Sequence, residues 1–264
     1  MHKTVQSSGK EIFYRVHGEG KAIVLVHGFG ETGDIWNGQI ATLQKCGKLI
    51  IPDLPGSGRS EMVNDMSIEG MADVVLQITK AEVQDEKAII IGHSMGGYIT
   101  LAMAERNPGA FRALGLFHST AYADSEEKIA TRRKGIEFIR QHGAYEFLKT
   151  SIPNLFAPDS REKYASAIEE LIREGNNFSP AALVSYYDAM IRRPDRSRVL
   201  ETMKVPILFV LGKHDAAVPL QDTLALCALP DLSYIHVLHQ SGHMGMLEEA
   251  DRTNRILFDF ISEN

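Results

Sequence analysis

Cysteine and net positive charge are both scarce in this chain of 264 residues, and each scarcity excludes a class of protein. The two cysteines, Cys46 and Cys227, lie far apart and match no metal-ligand or redox spacing, so we expect reduced core thiols rather than a disulfide. A formal net charge of −6 leaves no basic surface to neutralise phosphates, which argues against nucleic-acid binding.

Long apolar runs and repetitive segments are missing as well. No stretch stays apolar over the roughly 18 residues that a membrane span needs. Residues 1–20 lack the apolar centre of a secretion signal, and no internal repeat or low-complexity tract occurs. We therefore expect a soluble, cytoplasmic protein with no nucleic-acid or membrane partner, whose oligomeric state the composition leaves open.

Short runs rich in Val and Ile alternate with longer amphipathic stretches along most of the chain. Buried strands of a parallel sheet have such continuous apolar runs, and helices cover both faces of that kind of sheet. Residues 3–16, with Ser8 and Gly9 at their centre, have the pattern of an antiparallel hairpin that starts the sheet. We predict an α/β fold with a mostly parallel, eight-stranded sheet flanked by helices. Its six other strands are predicted at residues 22–28, 48–53, 87–92, 112–118, 206–212 and 233–239.

The alternation stops between residues 119 and 199, where no strand-like run occurs. Charged helical segments fill this stretch, with several prolines between them. We expect residues 1–118 and 200–264 to form the core, and residues 119–199 to form a helical cap, or lid, over one edge of the sheet. A few extra packing helices without a lid role would give the same pattern.

Gly92-His93-Ser94-Met95-Gly96 directly follows one predicted strand and precedes a segment with helical spacing. In a G-x-S-x-G arrangement a strand turns sharply into a helix, and the serine at the apex has a strained backbone. Glycines flank it because strand and helix approach too closely for side chains. Since parallel sheets bind ligands beyond the carboxyl ends of their strands, we predict that Ser94 is a nucleophile.

A serine hydroxyl becomes a nucleophile only with a base and an orienting acid nearby. His243 lies in a small-residue loop after the last predicted strand and is the candidate base. Asp215, a few residues beyond the strand at 206–212, is the favoured acid, because Ser, Asp, His is a known chain order for such sites. Asp124 follows an earlier strand and competes for that role, although it would also suit a helix cap.

Two backbone amides would complete the site by stabilising an oxyanion. Met95 offers its N–H group at the beginning of the helix after Ser94, where the helix dipole favours negative charge. Phe29 offers its N–H group from the loop after the strand at 22–28. Four neighbours of these motifs are expected to line an apolar pocket with Phe29, although each would also serve as core packing: Trp36, Tyr98, Tyr122 and Met244.

Five sequence blocks resemble those of the α/β-hydrolase superfamily, in its serine-nucleophile branch with a helical cap. The blocks are VLVHGFGETGDIW, IPDLPGSGRS, GHSMGG, LGKHDAAVP and SGHMGMLEE, and they are spread over nearly the whole chain. The resemblance implies a nucleophile at Ser94, a base at His243 and an acid at Asp215, with the amides of Phe29 and Met95 as the oxyanion hole. The serine departs from the dehalogenase and epoxide-hydrolase branches, which carry an aspartate at this place.

These residues predict a hydrolase that cleaves a small, apolar carboxylic ester through an acyl-enzyme intermediate, with neither metal nor cofactor. Lactonases, carbon–carbon bond hydrolases and cofactor-free perhydrolases or haloperoxidases are similar in pattern, so the reaction within the branch stays open. The apolar pocket residues suggest an uncharged acyl group. Because no Lys or Arg cluster adjoins the motifs, we expect neither a phosphorylated nor a coenzyme-linked substrate. A receptor that binds a small ligand on the same scaffold is the alternative from another class.

Overall fold

An eight-stranded sheet forms the centre of the computed structural model, which describes residues 1–83 and 87–264. Its strands are β1 (His2–Ser7), β2 (Lys10–His17), β3 (Ala22–Val26), β4 (Lys48–Pro52), β5 (Ala88–His93), β6 (Phe111–Phe117), β7 (Ile207–Gly212) and β8 (Ser233–Leu238). They lie in the order β1-β2-β4-β3-β5-β6-β7-β8. β1 and β2 form an antiparallel hairpin, β2 pairs with β4 in antiparallel fashion, and all other neighbours are parallel. The predicted fold class is confirmed.

The sequence dictates the middle and the edge of this sheet in different ways. β3, β5 and β7 are buried along their whole length, because helices cover both faces and every residue meets apolar neighbours. At the edge, the β1–β2 turn places Ser8 and Gly9 at φ 49° and 78°. Both residues are therefore left-handed, as a two-residue hairpin turn requires.

Helices flank the sheet on both sides. They are α1 (Asn37–Leu43), α2 (Ile68–Glu82), α3 (Met95–Arg106), α4 (Glu126–Ser151), α5 (Ala165–Glu174), α6 (Pro180–Arg192), α7 (Ser197–Thr202), α8 (Leu220–Leu226), α9 (Gly245–Glu248) and α10 (Ala250–Glu263). Gly143, at φ 88°, breaks α4 into two helical parts. Within the described residues, none of these helices combines the length and hydrophobicity of a membrane-crossing segment.

Four helices, α4 to α7, occupy the stretch between β6 and β7, and the described residues between these strands include no further strand. Arg196 fastens the end of this stretch to the core. Its backbone N–H group donates to the Ala121 carbonyl at 2.8 Å, and its side chain bridges Glu69 of α2 and Glu105 of α3. That residues 119–199 form a separate cap remains a prediction, and α7 already crosses the proposed boundary.

Candidate active site

Ser94 is the single residue that joins β5 to α3. Its φ of 51° and ψ of −116° lie outside the regions that residues other than glycine usually adopt, so the sharp turn expected at this position is present. The Ser94 N–H group donates to the Phe117 carbonyl at 3.0 Å. The Ser94 carbonyl accepts hydrogen bonds from the Ser119 hydroxyl at 2.7 Å and the Gly97 N–H group at 2.9 Å. These bonds to β6 and α3 fix the strained backbone.

The glycines around Ser94 are required by close backbone contacts. A Cβ at Gly92 would collide with the Gly96 carbonyl, and a Cβ at Gly96 would collide with the backbone of β3 at Val26. At Gly28, in the loop after β3, a Cβ would lie 3.1 Å from the Ser94 Cβ. The loop after β3 therefore packs directly against the nucleophile candidate.

His243 and Asp215 meet at the carboxyl ends of the strands. The His243 Nδ1–H group donates to Asp215 Oδ2 at 2.8 Å, and both side chains are buried. The other carboxylate oxygen accepts the N–H groups of Ala217 and Val218 at 2.9 and 2.8 Å. Because Nδ1 donates to the carboxylate, the neutral ring carries its lone pair on Nε2 and can accept a proton there.

The electrostatics of this pair follow from burial and mutual charge. Burial alone would raise the pKa of Asp215, but the interactions with His243 and with another histidine, His118, bring it well below its usual range. Burial would lower the pKa of His243, yet the Asp215 carboxylate outweighs burial and raises it. His243 is therefore a stronger base than an ordinary imidazole.

His118, directly after β6, is the residue that sequence reasoning missed. Its Nδ1–H group donates to the same Asp215 Oδ2, at 3.1 Å. Burial lowers the pKa of His118 to about 4, although the hydrogen bond that it donates to Asp215 opposes the change. This histidine is the last residue of the strand predicted at 112–118, and the other candidates also follow strands, yet no role was predicted for it.

A second buried carboxylate lies below the nucleophile. Glu31 Oε2 accepts hydrogen bonds from the Gly28 N–H group at 2.7 Å and from His93 Nδ1 at 2.9 Å. His93 Nε2 lies 3.1 Å from the His243 carbonyl oxygen, so both ring nitrogens of His93 face acceptors. Burial would raise the pKa of Glu31, but His93 and the Gly28 amide lower it overall. This pair links the loop after β3 to the His243 loop.

Ser94 and His243 line one cavity of about 750 Å³, and four of the expected neighbours line it too: Phe29, Tyr98, Tyr122 and Met244. Trp36 does not, so its prediction as a pocket residue was wrong. Its indole is fully buried against His93 and Phe117, because the short turn Gly33–Trp36 directs it into the core and away from the cavity. Neighbourhood in sequence was a poor guide to the direction of this side chain.

The amides expected to form an oxyanion hole belong to residues near Ser94. Met95 is the first residue of α3, and Phe29 follows Gly28 in the loop that packs on Ser94. Among the hydrogen bonds of the described residues, none has either amide as donor. Both N–H groups are thus available to an acceptor, and their assignment to an oxyanion stays a prediction.

Three cations line the cavity, which was expected to be apolar: Lys128 and Arg132 of α4, and Arg193 directly after α6. Asp124 also lines it and pairs with Arg132 at 2.5 Å and Arg193 at 2.9 Å, and these guanidinium groups lower its pKa although burial opposes the change. Asp124 therefore does not serve His243, and it is not the helix cap either, because Ser125 caps α4. Asp124 carries one negative charge and faces two guanidinium groups, so it neutralises only one of their two positive charges.

One group of side chains in the described residues has the spacing of a possible metal site, namely His118, Asp215 and His243, whose donor atoms lie within 4.8 Å of one another. Both histidines direct an Nδ1–H group at the same carboxylate oxygen. We interpret this group as a hydrogen-bonded acid–base cluster.

Glu248, at the end of α9, joins the His243 loop to the segment between α4 and α5. Its Oε2 accepts the N–H groups of Gly242 and Met244 at 2.9 and 3.2 Å, on either side of His243. Its Oε1 accepts the Ala157 N–H group at 2.7 Å and the Ser160 hydroxyl at 2.5 Å. A buried carboxylate with four donors therefore holds the loop that carries His243.

Comparisons with known proteins agree with this geometry. A sequence model described as "Alpha/beta hydrolase family" matches residues 23–256. The chain is 28% identical over 261 residues to a pimeloyl-[acyl-carrier protein] methyl ester esterase of Methylococcus capsulatus, covering 96% of this chain and 99% of that protein. It is also 28% identical over 287 residues to a 2-hydroxy-6-oxononadienedioate/2-hydroxy-6-oxononatrienedioate hydrolase of Comamonas testosteroni, covering 98% and 95%. Among solved structures, a thermophilic esterase from Thermogutta terrifontis superimposes with a TM-score of 0.91 at 26% identity, covering 98% of this chain and 96% of the other.

Proposed function

The chain belongs to the α/β hydrolase family, and on that premise we propose that it is a serine esterase that cleaves a small carboxylic ester. The observation that carries the proposal is the buried His243–Asp215 hydrogen bond beside a cavity that Ser94 also lines. A pocket of about 750 Å³ falls within the range of small-molecule sites. The two relatives named as esterases support the same reaction class.

In the proposed reaction, Ser94 Oγ bonds to the ester carbonyl carbon while its proton passes to Nε2 of His243. The N–H groups of Phe29 and Met95 donate to the resulting oxyanion. Collapse of this intermediate breaks the bond to the alcohol oxygen, which takes the proton from His243 and leaves Ser94 acylated. Water then attacks the acyl group by the same steps, and the acid is released with Ser94 restored.

Asp215 has two tasks in this scheme. Its hydrogen bond to Nδ1 holds the His243 tautomer that leaves Nε2 free to accept the serine proton. Its charge then stabilises the imidazolium that forms, in the same direction as the raised pKa of His243. The N–H groups of Ala217 and Val218 keep the carboxylate ionised and oriented.

Carbon–carbon bond hydrolysis is the second candidate, because the relative from Comamonas testosteroni is named for the hydrolysis of an oxo-dienedioate. A substrate panel separates the two reactions. It contains neutral methyl and p-nitrophenyl esters, a lactone, a vinylogous β-diketone and a peracid assay. Methyl esters with a free carboxylate are included, since Lys128 and Arg132 line the cavity. Turnover of the diketone or the peracid reaction alone would reject the esterase proposal.

Replacing Ser94 by alanine tests the proposed nucleophile. We expect ester turnover to fall by about four to six orders of magnitude, as for other serine triads. Ser166→Ala, at an exposed position of α5, is the matched control and should retain full activity. Wild-type activity in Ser94→Ala would remove the proposal.

A fluorophosphonate probe separates an enzyme from a ligand receptor. We expect it to label Ser94 in the native protein and to leave His243→Ala unlabelled, because the probe needs an activated hydroxyl. A native protein that binds esters but resists the probe would be a receptor. Cys46 and Cys227 are both free thiols, and we propose the reducing cytoplasm as the place of this reaction.

A further inference from the structure

His118 makes a hydrogen bond that the proposed reaction does not use. Its Nδ1 lies 3.1 Å from Asp215 Oδ2, the same oxygen that accepts from His243 Nδ1 at 2.8 Å. An ionised carboxylate only accepts, so His118 must be the Nδ1–H tautomer. Asp215 therefore shares the charge of one oxygen between two imidazoles.

The surrounding loops are built to admit the His118 ring. His118 has a left-handed backbone at φ 47°, a conformation that is uncommon for residues other than glycine, although Asn, Asp and His adopt it more often than the rest. A Cβ at Gly245 would lie 2.5 Å from His118 Nε2, and a Cβ at Gly212 would lie 2.8 Å from its Cε1. Two glycines and one strained residue thus keep this imidazole against Asp215.

The other ring nitrogen makes the arrangement costly. Within the described residues, His118 Nε2 is buried and has no hydrogen-bond partner. A buried polar atom without a partner destabilises the folded state, and an apolar side chain of similar size would avoid that cost. The Nδ1–H bond to Asp215 is the one polar contact that a histidine adds here.

We propose that His118 is a positioning residue that holds Asp215 in place and, by drawing on the charge of its Oδ2, weakens the hold of Asp215 on the His243 proton. His243 then becomes neutral, and so able to accept the Ser94 proton, at a lower pH than in a site with Asp215 alone. This inference rests on the proposed function for its consequence in catalysis.

The charged and titratable groups that face His243 come from β5, from α4 and from the loops after β3, β6 and β7. Asp215 and Glu31 favour its protonated form, whereas Lys128 of the cap disfavours it. The His93 and His118 rings lie 4.9 and 5.7 Å from its ring, between centroids. Of these groups, His118 is the one that acts on His243 through the Asp215 oxygen itself.

Two variants of His118 separate donation from packing. In His118→Leu the donor is lost, so the Asp215 charge acts on His243 alone and the acid limb of the kcat/KM profile moves up by about 0.5 to 1 pH unit. At a pH below this limb, kcat/KM is then about three- to tenfold lower than in the native enzyme. Asn tolerates a left-handed backbone, and its Nδ2 matches the position of Nδ1, so His118→Asn should keep the native limb.

A limb in His118→Leu that coincides with the native one, even with kcat/KM lowered equally at every pH, would overturn the proposal, because packing alone would have that effect. If His118→Leu fails to fold, nitrogen-15 NMR of the imidazoles in the full native protein tests the proposal instead. We expect the His118 signals to report a neutral Nδ1–H ring from pH 5 to 9, and a protonated or Nε2–H ring would overturn the proposal. This measurement needs no turnover, so its outcome is independent of the Ser94→Ala test.

Discussion

Glu248 accepts four hydrogen bonds that hold the His243 loop in place. The loss of stability on replacing it can be estimated from these four donors. In Glu248→Ala the N–H groups of Gly242, Met244 and Ala157 and the Ser160 hydroxyl lose their acceptor in a buried site. An unsatisfied buried donor costs about 1–3 kcal/mol, and the Ser160 hydroxyl can turn to another acceptor. We expect a loss of about 4 kcal/mol in the free energy of unfolding.

Glutamine at this position should cost less. Its carbonyl oxygen can accept from Gly242 and Met244, and its NH₂ group can donate to Ser160 Oγ, which leaves the Ala157 N–H group facing a second donor. One unpaired donor and the lost charge amount to about 2 kcal/mol. Activity should follow the same order, because the Gly242 and Met244 amides flank His243: about a tenfold loss of kcat/KM in Glu248→Ala and a smaller loss in Glu248→Gln.

Urea unfolding followed by far-ultraviolet circular dichroism measures the first effect, and p-nitrophenyl ester hydrolysis measures the second. Glu201→Ala, at an exposed position of α7, is the control and should change stability by no more than about 0.5 kcal/mol. If Glu248→Ala lay within 1 kcal/mol of the native protein, the four hydrogen bonds would not have the energetic role that we assign to them.

Two further perturbations address the buried histidines. In the folded protein His118 has a pKa of about 4, so it becomes protonated at a lower pH than in the unfolded chain, where its pKa is 6.5. The unfolded state therefore binds more protons between these pH values, and the native protein loses stability as the pH falls. From pH 6.5 to pH 4 its free energy of unfolding should drop by roughly 3 kcal/mol more than that of His118→Asn. Urea titrations at each pH would measure this difference. Glu31→Gln removes the carboxylate charge that faces His93. It should lower the free energy of unfolding by about 1–3 kcal/mol and also reduce kcat/KM. If the variant and the native protein had equal free energies of unfolding and equal kcat/KM, this pair would have no structural role.

The sheet could be predicted from the sequence because its strands are continuous apolar runs. The run AIIIGH, for example, is β5 and is buried along its whole length, and no amphipathic helix has such a pattern. The hairpin was also evident, since Ser8 and Gly9 can adopt the left-handed turn. The packing of residues 119–199 could not be predicted, because periodicity identifies helices such as α4 and α6 without indicating where they pack.

The candidate site, like the fold, has one part that the sequence predicts and one part that it does not. Ser94, Asp215 and His243 could be predicted to lie near one another because each follows a strand, and parallel strands end at the same edge of a sheet. The direction of Trp36 and the presence of Lys128, Arg132 and Arg193 in the cavity were not predicted, for one reason. Distance along the chain does not predict which way a side chain points or which helix folds over a strand end. His118 lies at the end of a predicted strand, but its contact with Asp215 depends on a left-handed backbone that the sequence does not indicate.

The buried carboxylates explain why this edge of the sheet is built as it is. Glu31, Asp215 and Glu248 are each buried, which by itself disfavours folding, and each is surrounded by donors that offset the cost. Apolar side chains of similar volume would serve stability at least as well, so stability alone does not account for them. Their common neighbour is His243: Asp215 binds its ring, Glu248 binds the amides on either side, and Glu31 acts through His93 on its carbonyl. Negative charge thus lies behind the imidazole, while the N-terminus of α3 lies beside Ser94, and this polarity favours moving a proton from Ser94 to His243 as an oxyanion forms at the helix.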